Sequence, residues 1–216
     1  MKSNSEPKRN RPLADEFLFL GNHLALDFLN THPVLNGEPI EKLTDFKAVL
    51  RWFQAASLLS SQEAWKLLQG WEKSIRARRV ADAMRELREK LRQAVIAWER
   101  GIAVHRSTLD ELNQLMAEHP MRTRLSAAGN QVVTELYFEP LQPEDLISPL
   151  AYSAATLFAA VDRRRVRKCD QCAVHFYDTS KKGTRRWCSM QLCGNRQKVA
   201  AYADRQRLGH PRTRRP

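Results

Sequence analysis

Four cysteines, Cys169, Cys172, Cys188 and Cys193, are the residues here whose type and spacing best support a specific chemistry, and the chain has no others. Cys169-Asp-Gln-Cys172 forms one close pair, and Cys188-Ser-Met-Gln-Leu-Cys193 forms a second after fifteen residues. Each pair can set two thiolates on one side of an ion, and the segment between folds back to supply the other two. Four Zn–S bonds complete a tetrahedral shell and leave no place for water, so the expected site holds one structural Zn2+. Metal binding and local folding would then be one event. The alternatives are two disulfides or four buried thiols. Disulfides need an oxidising compartment, to which nothing in the sequence points. His175 stands in Cys-x-x-Cys-x-x-His register, but four thiolates already fill the shell, and the reading places His175 toward phosphate or solvent.

The cysteines lie in the charged part of the chain. Residues 163–216 hold 16 of the 36 Lys and Arg and 3 of the 24 Asp and Glu, a net +13, against −1 for all other residues. A polyanion is the natural partner of such a segment. The candidate contacts are Lys181, Lys182, Arg185, Arg186, Arg196, Lys198, Arg205 and Arg207, with Arg212, Arg214 and Arg215 following a backbone.

The elements that position these residues follow from periodicity and turn chemistry. Residues 1–16 are polar with Pro7 and Pro12, and read as a disordered arm. An apolar helical face runs from about Asn22 to Thr31, with Asn22 as a possible cap. His23, Asp27 and Asn30 share one stripe of it. They are a candidate ligand pocket or a hydrogen-bonded cluster that fixes packing. Helices follow from Thr44 or Asp45 to about Ser57, from Ser60 to Gly70, from Ile75 to Gly101, and from Ser107 to His119. Met84, Leu87, Leu91, Val95 and Trp98 mark the buried face of the third, with Arg and Glu on a solvated face. Alternation in Val132–Phe138, opposite Met121–Leu125 across Gly129-Asn130, predicts a β-hairpin. A last helix spans about Ser148–Arg164, capped by Ser148 with Pro149 in its first turn.

Beyond it, Cys169–Cys172 reads as a knuckle and Val174–Asp178 as a strand. Thr184–Cys188 reads as the return strand, and Arg196–Arg207 as a helix with Val199 and Tyr202 inward. This order is a treble-clef arrangement. The fold class expected is a mainly α N-terminal domain with one β-hairpin (residues 17–164), a small four-cysteine zinc finger (165–208) and a basic tail (209–216). The Met1 end lacks the apolar core of a signal peptide, and no stretch approaches the ~18 apolar residues of a membrane span. A cytoplasmic protein without membrane contact is expected.

Cys193-Gly194-Asn195-Arg196, with Cys169-x-x-Cys172, Trp187-Cys188 and the basic helix, resembles the CGNR zinc finger. Phe19-Leu-Gly-Asn-His-Leu-Ala-Leu-Asp-Phe-Leu-Asn-Thr31 resembles the start of the ABATE domain, a proposed stress-induced transcription regulator that accompanies this finger in bacteria. The resemblance spans about residues 17–208. It implies a zinc site on Cys169, Cys172, Cys188 and Cys193, and DNA binding by a transcriptional regulator that is not an enzyme. Arg196 is left with two roles, pairing with a phosphate or base edge or packing over the metal site. Duplex DNA is the leading partner, with ligand sensing or homodimerisation by the helical domain. RNA or ribosome binding, through Trp187, Phe176, Tyr177 and Tyr202, is the alternative, as is a zinc-dependent adaptor role. A nuclease centred on His175 is the remaining enzymatic reading.

Overall fold

The computed structural model describes residues 17–35 and 37–207. The expected N-terminal arm and the basic tail therefore lie outside the described residues.

Helix α1 (Leu24–Leu29) starts the helical body. A short hairpin, β1 (Val34–Leu35) with β2 (Glu38–Pro39), leads to α2 (Phe46–Ala55), α3 (Ser61–Trp71), α4 (Ile75–Glu99) and α5 (Arg106–Glu118). Each start has a local cause. Asp45 accepts from Ala48 N–H at the head of α2, and Ser74 accepts from Arg76 N–H at α4. Ser60 and Glu63 form a reciprocal capping box at α3, which satisfies two otherwise orphaned donors.

Next come β3 (Arg122–Ala128) and β4 (Gln131–Tyr137), paired antiparallel with Leu125 opposite Thr134 across the Gly129-Asn130 turn. A 3-10 turn (Pro143–Ile147) then enters α6 (Ser148–Ala160). The expected hairpin is present. Helix α6 is shorter than the periodicity suggested. It ends at Ala160, and Asp162 accepts from Arg164 N–H to cap a separate 3-10 turn, Arg163–Arg165. Ser148 is not the cap either: it is the first helical residue, after Ile147.

The core of the body packs α1, α2, α4 and α6 through Phe28, Trp52, Phe53, Met84, Leu91 and Leu150, all buried. Trp52 and Phe53 meet edge-on at 5.4 Å, as do Trp98 and Phe158. Arg88 corrects the reading of α4's charged residues as a solvated face. It is buried on the core side, where it pairs with both oxygens of Glu41 and donates to Thr31 Oγ1 at 2.9 Å. That fork ties the loop before α2 to α4.

A second apolar cluster forms around the cysteines and contains Val174 and Phe176. Leu18 and Leu20 pack against it from the start of the body. Strand β5 (Val166–Lys168) pairs antiparallel with β6 (His175–Tyr177), and a five-residue π-turn (Met190–Gly194) runs into α7 (Asn195–Arg207). The expected hairpin partner of β6 is thus corrected. Thr184–Cys188 is not a strand, and the chain before Cys169 pairs instead. Arg165 and Arg167 explain why. They donate to the carbonyls of Asp178, Ser180 and Gly183, and Asp178 accepts from Arg185 N–H at 2.8 Å. These bonds hold the 178–185 loop as a loop.

Candidate metal centre and nucleic-acid interface

The knuckle is closed by its own backbone: Cys169 N–H donates to the Val174 carbonyl at 2.8 Å, and Ala173 N–H to the Cys169 carbonyl at 3.1 Å. Ala173 takes φ +59° to make the turn. On the other side, Ser189 accepts from Leu192 N–H at 3.3 Å with its side chain, and from Cys193 N–H at 2.9 Å with its carbonyl. Ser189 thus caps the turn that carries Cys193. At Gly194 the space for a side chain is limited by neighbouring side chains rather than by torsion. A Cβ there would lie 2.3 Å from Met190 Sδ and 3.3 Å from Trp187 Cε3.

These two turns bring all four thiols together, every Sγ within 4.8 Å of the others. Cys172 and Cys188 sulfurs stand 3.6 Å apart, and those of Cys188 and Cys193 3.7 Å. Four sulfurs at ~2.3 Å around one tetrahedral zinc would be about 3.8 Å apart, so the spacing fits. Hydrogen bonding from Cys188 draws the Cys172 thiol down to about 5, with help from Val174 N–H. The Cys188 thiol is pushed upward, first by its bond to Cys172 and then by burial. Burial comes first in raising Cys193 to about 12. Four adjacent thiolates repel one another, and a dication relieves that repulsion. The cluster is a site for one structural zinc ion, with no ligand position left for catalysis.

The finger is fastened to the body along β6. The side chain of Asn30 accepts from His175 N–H and donates to the His175 carbonyl, both at 2.9 Å. Tyr177 N–H donates to the Gly21 carbonyl at 2.8 Å, and Asn22 Nδ2 donates to the Tyr177 carbonyl at 2.9 Å. The start of the body thus fills the edge of β6 that β5 leaves open. Asn22 is not the helix cap; it sits at φ +54° just before α1 and serves the finger.

Of the stripe offered as a ligand pocket, His23 stands 3.4 Å from Ser153 Oγ and Asp27 accepts from Gly21 N–H at 2.7 Å. Burial lifts the Asp27 carboxyl to about 6, and the N–H groups of Gly21 and Leu20 oppose it. His23 Nδ1, Asp27 Oδ1 and both ends of the Asn30 amide thus have partners within the protein, with Asn30 serving the seam. His175 faces neither phosphate nor solvent; it is 1 % exposed.

The basic residues divide by environment. Lys181, Lys182, Arg186, Arg196, Lys198 and Arg207 are exposed. Arg186 pairs with Asp170 at 2.8 Å and lies over the Trp187 ring. Arg185 turns inward, stacking 5.2 Å above Phe176 and donating to the Cys188 carbonyl. Packing over the metal site, weighed for Arg196, is therefore the position of Arg185. The side chains of Arg205, Arg212, Arg214 and Arg215 lie outside the described residues. Val199 and Tyr202 were expected inside; they are 68 % and 55 % exposed. Helix α7 packs on the π-turn, and none of the described residues covers these two side chains.

Sequence reasoning missed the partnership of Leu18 and Leu20 with the finger, and of Asn30 with His175. The only available signal was that Gly21, Asn22 and Asn30 are polar or small residues in an otherwise apolar run. Among the described residues, no helix is long and apolar enough to cross a membrane.

No curated protein matches the sequence. Residues 165–206 match the model of the CGNR zinc finger. Residues 22–161 match the family model ABATE, described as "Putative stress-induced transcription regulator". With that match covering well over half of its length, the chain belongs to the ABATE family and carries a CGNR zinc finger after the family domain.

Proposed function

We propose that the protein is a zinc-dependent, duplex-DNA-binding transcriptional regulator, with α7 as the helix that enters the major groove. The outward face of α7 is the observation that supports this most. At about 100° per residue, Asn195, Val199, Tyr202 and Gln206 fall on one stripe. All four are exposed. Arg196 and Arg207 flank the stripe on one side and Lys198 on the other. A central row able to touch base edges, bordered by cations at phosphate distance, is what a groove-reading helix needs. Lys181 and Lys182, on the loop before the second cysteine pair, extend the cationic surface.

RNA binding by base stacking needs exposed aromatic platforms. Phe176 is buried, Tyr177 packs against the body, and Trp187 packs in the finger, leaving Tyr202. Duplex DNA is therefore favoured. Buried His175 is poorly placed to reach a phosphodiester, and the reading is of a regulator rather than an enzyme. The β3–β4 hairpin shows Leu125, Val132 and Leu136 on one exposed face. A two-stranded hairpin needs cover, and a second copy supplies an identical face across a two-fold axis. We assign homodimerisation to it, and ligand sensing to the helical body. A four-thiolate site and a nucleic-acid partner both suit the cytoplasm.

The test is a mobility shift with zinc-loaded protein on duplex DNA, competed by structured and single-stranded RNA. About six phosphate contacts give a log–log salt slope near −5. Binding without salt dependence, or preferential competition by RNA, would overturn the DNA reading. Sedimentation of Leu125→Glu as a monomer, with the parent as a dimer, checks the hairpin; a monomeric parent rejects it.

A further inference from the structure

A cavity of about 240 Å³ lies in the seam between body and finger. Its walls come from the segment after α1, from Glu89, Arg92 and Ile96 on α4, and from Val174 and His175 of the finger. It exists only while the finger is docked.

His175 is among the residues lining this cavity, and its buried imidazole has no hydrogen-bond partner at either nitrogen. Nε2 stands 3.6 Å from Glu99 Oε1, beyond hydrogen-bond reach, and that oxygen is also unpartnered. A buried polar group in this condition calls for a partner that the protein itself does not supply. Burial first, then Arg92 and Lys168, lowers the His175 pKa to about 4. The ring is therefore neutral near pH 7 and presents one N–H donor.

The charge around it is arranged for an anion. Arg92 commits Nε to Glu89 and Nη2 to the Leu29 carbonyl, and Lys168 stands at the rim. Of the nearby carboxylates, Glu89 is already paired with Arg88, Arg92 and His32. Burial raises Glu99 to about 7, against the pull of Lys168 and Arg100. The remaining walls are apolar, among them Pro33, Ile96 and Val174. A single water could serve the imidazole but would leave those walls wet. A small molecule with one anionic end and one apolar end matches both.

We propose that this cavity binds a small amphipathic monocarboxylate, its carboxylate against His175 and Arg92 and its apolar part against Ile96 and Val174. The proposal rests on the reading of the helical body as the sensing part. Because the cavity has walls from both sides of the seam, an occupant would hold the finger against the body.

The test is titration calorimetry of zinc-loaded full-length protein, in the absence of DNA, with benzoate and butyrate, and with benzamide as the uncharged control. Saturable uptake of at least one acid, one per chain, is expected, with benzamide bound at least about tenfold more weakly. Ile96→Trp fills the cavity from α4 without changing a finger residue, and His175→Phe removes the donor. Each should weaken uptake about tenfold or more, with zinc content and far-UV spectrum checked for retained folding. If His175→Phe does not fold, Ile96→Trp decides. The proposal is overturned if neither acid saturates at millimolar concentration, if benzamide binds as well as benzoate, or if Ile96→Trp binds like the parent. None of these outcomes bears on DNA binding, which the salt-dependent shift assay measures separately.

Discussion

The side-chain amide of Asn30 pairs with the backbone of His175 as a neighbouring strand would, giving one hydrogen bond and taking one, each 2.9 Å long. The two residues lie 145 positions apart, and both are buried. The residue that caps the end of α1 in the body thereby completes a strand of the finger. The relation makes the start of the ABATE domain a clamp on its finger.

Removing that amide should loosen the clamp. Asn30→Ala leaves the His175 N–H and carbonyl buried without partners, at a cost of about 1–3 kcal/mol. Leu18 and Leu20 still pack on the finger, so the finger should open more often without unfolding the body. Hydrogen exchange reads this directly: amides of 175–177 should lose protection while those of α4 keep theirs. Uniform loss across both would show that the clamp supports the whole fold.

Chelation should separate the two clusters in another way. Without zinc nothing cross-links the four cysteines, and the finger's own apolar core is little more than Val174 and Phe176. The helical signal of α7 and the environment of Trp187 should be lost. Trp52 and Trp98 belong to the body core and should keep their near-ultraviolet signals. Complete loss of near-ultraviolet structure on chelation would reject independent stability of the body.

Much of this arrangement could be read in the sequence. The cysteine spacing, the Ser60 and Asp45 caps and the Gly129-Asn130 hairpin are local codes that act within a few residues, and the structure keeps them. What could not be read is non-local. Arg88 looks like any surface arginine of a long helix until Glu41 and Thr31 arrive from a loop more than 40 positions away. The return strand expected at Thr184–Cys188 follows the right kind of turn, but Arg165, Arg167 and Asp178 hold the preceding loop, and Val166–Lys168 takes the edge of β6. Val199 and Tyr202 have helical spacing for burial, yet nothing in the described residues covers α7.

Two glycines have close neighbours, but only at one of them is the obstacle backbone. At Gly21 a Cβ would lie 2.8 Å from both Asp27 N and Leu26 Cβ, and backbone cannot yield as a side chain can. At Gly194 the obstacles are the thioether of Met190 and the Trp187 ring beside the zinc site. Gly21→Ala should lower stability by about 1–3 kcal/mol with zinc affinity largely kept. Gly194→Ala should cost less, because the exposed Met190 thioether can turn away, and zinc affinity in competition with a chromogenic chelator should change little. A larger loss at Gly194 than at Gly21 would mean that the nature of the obstacle does not set the cost.

Glu99 and His175 should give opposite pH dependences. Glu99 is raised from 4.5 to about 7, so its folded form holds the proton more tightly. Its favourable contribution is complete below about pH 4.5 and is lost as pH rises through 7. His175 is lowered from 6.5 to about 4, so its folded form binds the proton less tightly. Protonating it costs stability as pH falls from 6.5 toward 4. Glu99→Gln removes the first effect and leaves the second. Relative to the parent, the variant should gain stability between pH 4.5 and 7, by no more than about 3 kcal/mol. Urea melts at half-unit pH steps would show this, and parallel stability curves for the two proteins would refute it.

The last prediction separates contacts that position DNA from contacts that read it. Arg196 borders the exposed stripe of α7, and Tyr202 lies within it. If the stripe faces the groove, Arg196→Ala removes a phosphate contact. It should weaken binding to all duplexes alike and reduce the magnitude of the salt slope by about 1. Tyr202→Ala should leave the slope unchanged and narrow the gap between the preferred sequence and random DNA, by about 1–3 kcal/mol. Lys198→Ala, on the opposite border, should behave like Arg196→Ala. If the tyrosine change alters the slope while the basic changes alter sequence preference, α7 lies across the backbone instead, and Lys181 and Lys182 on the neighbouring loop become the candidates for groove contact.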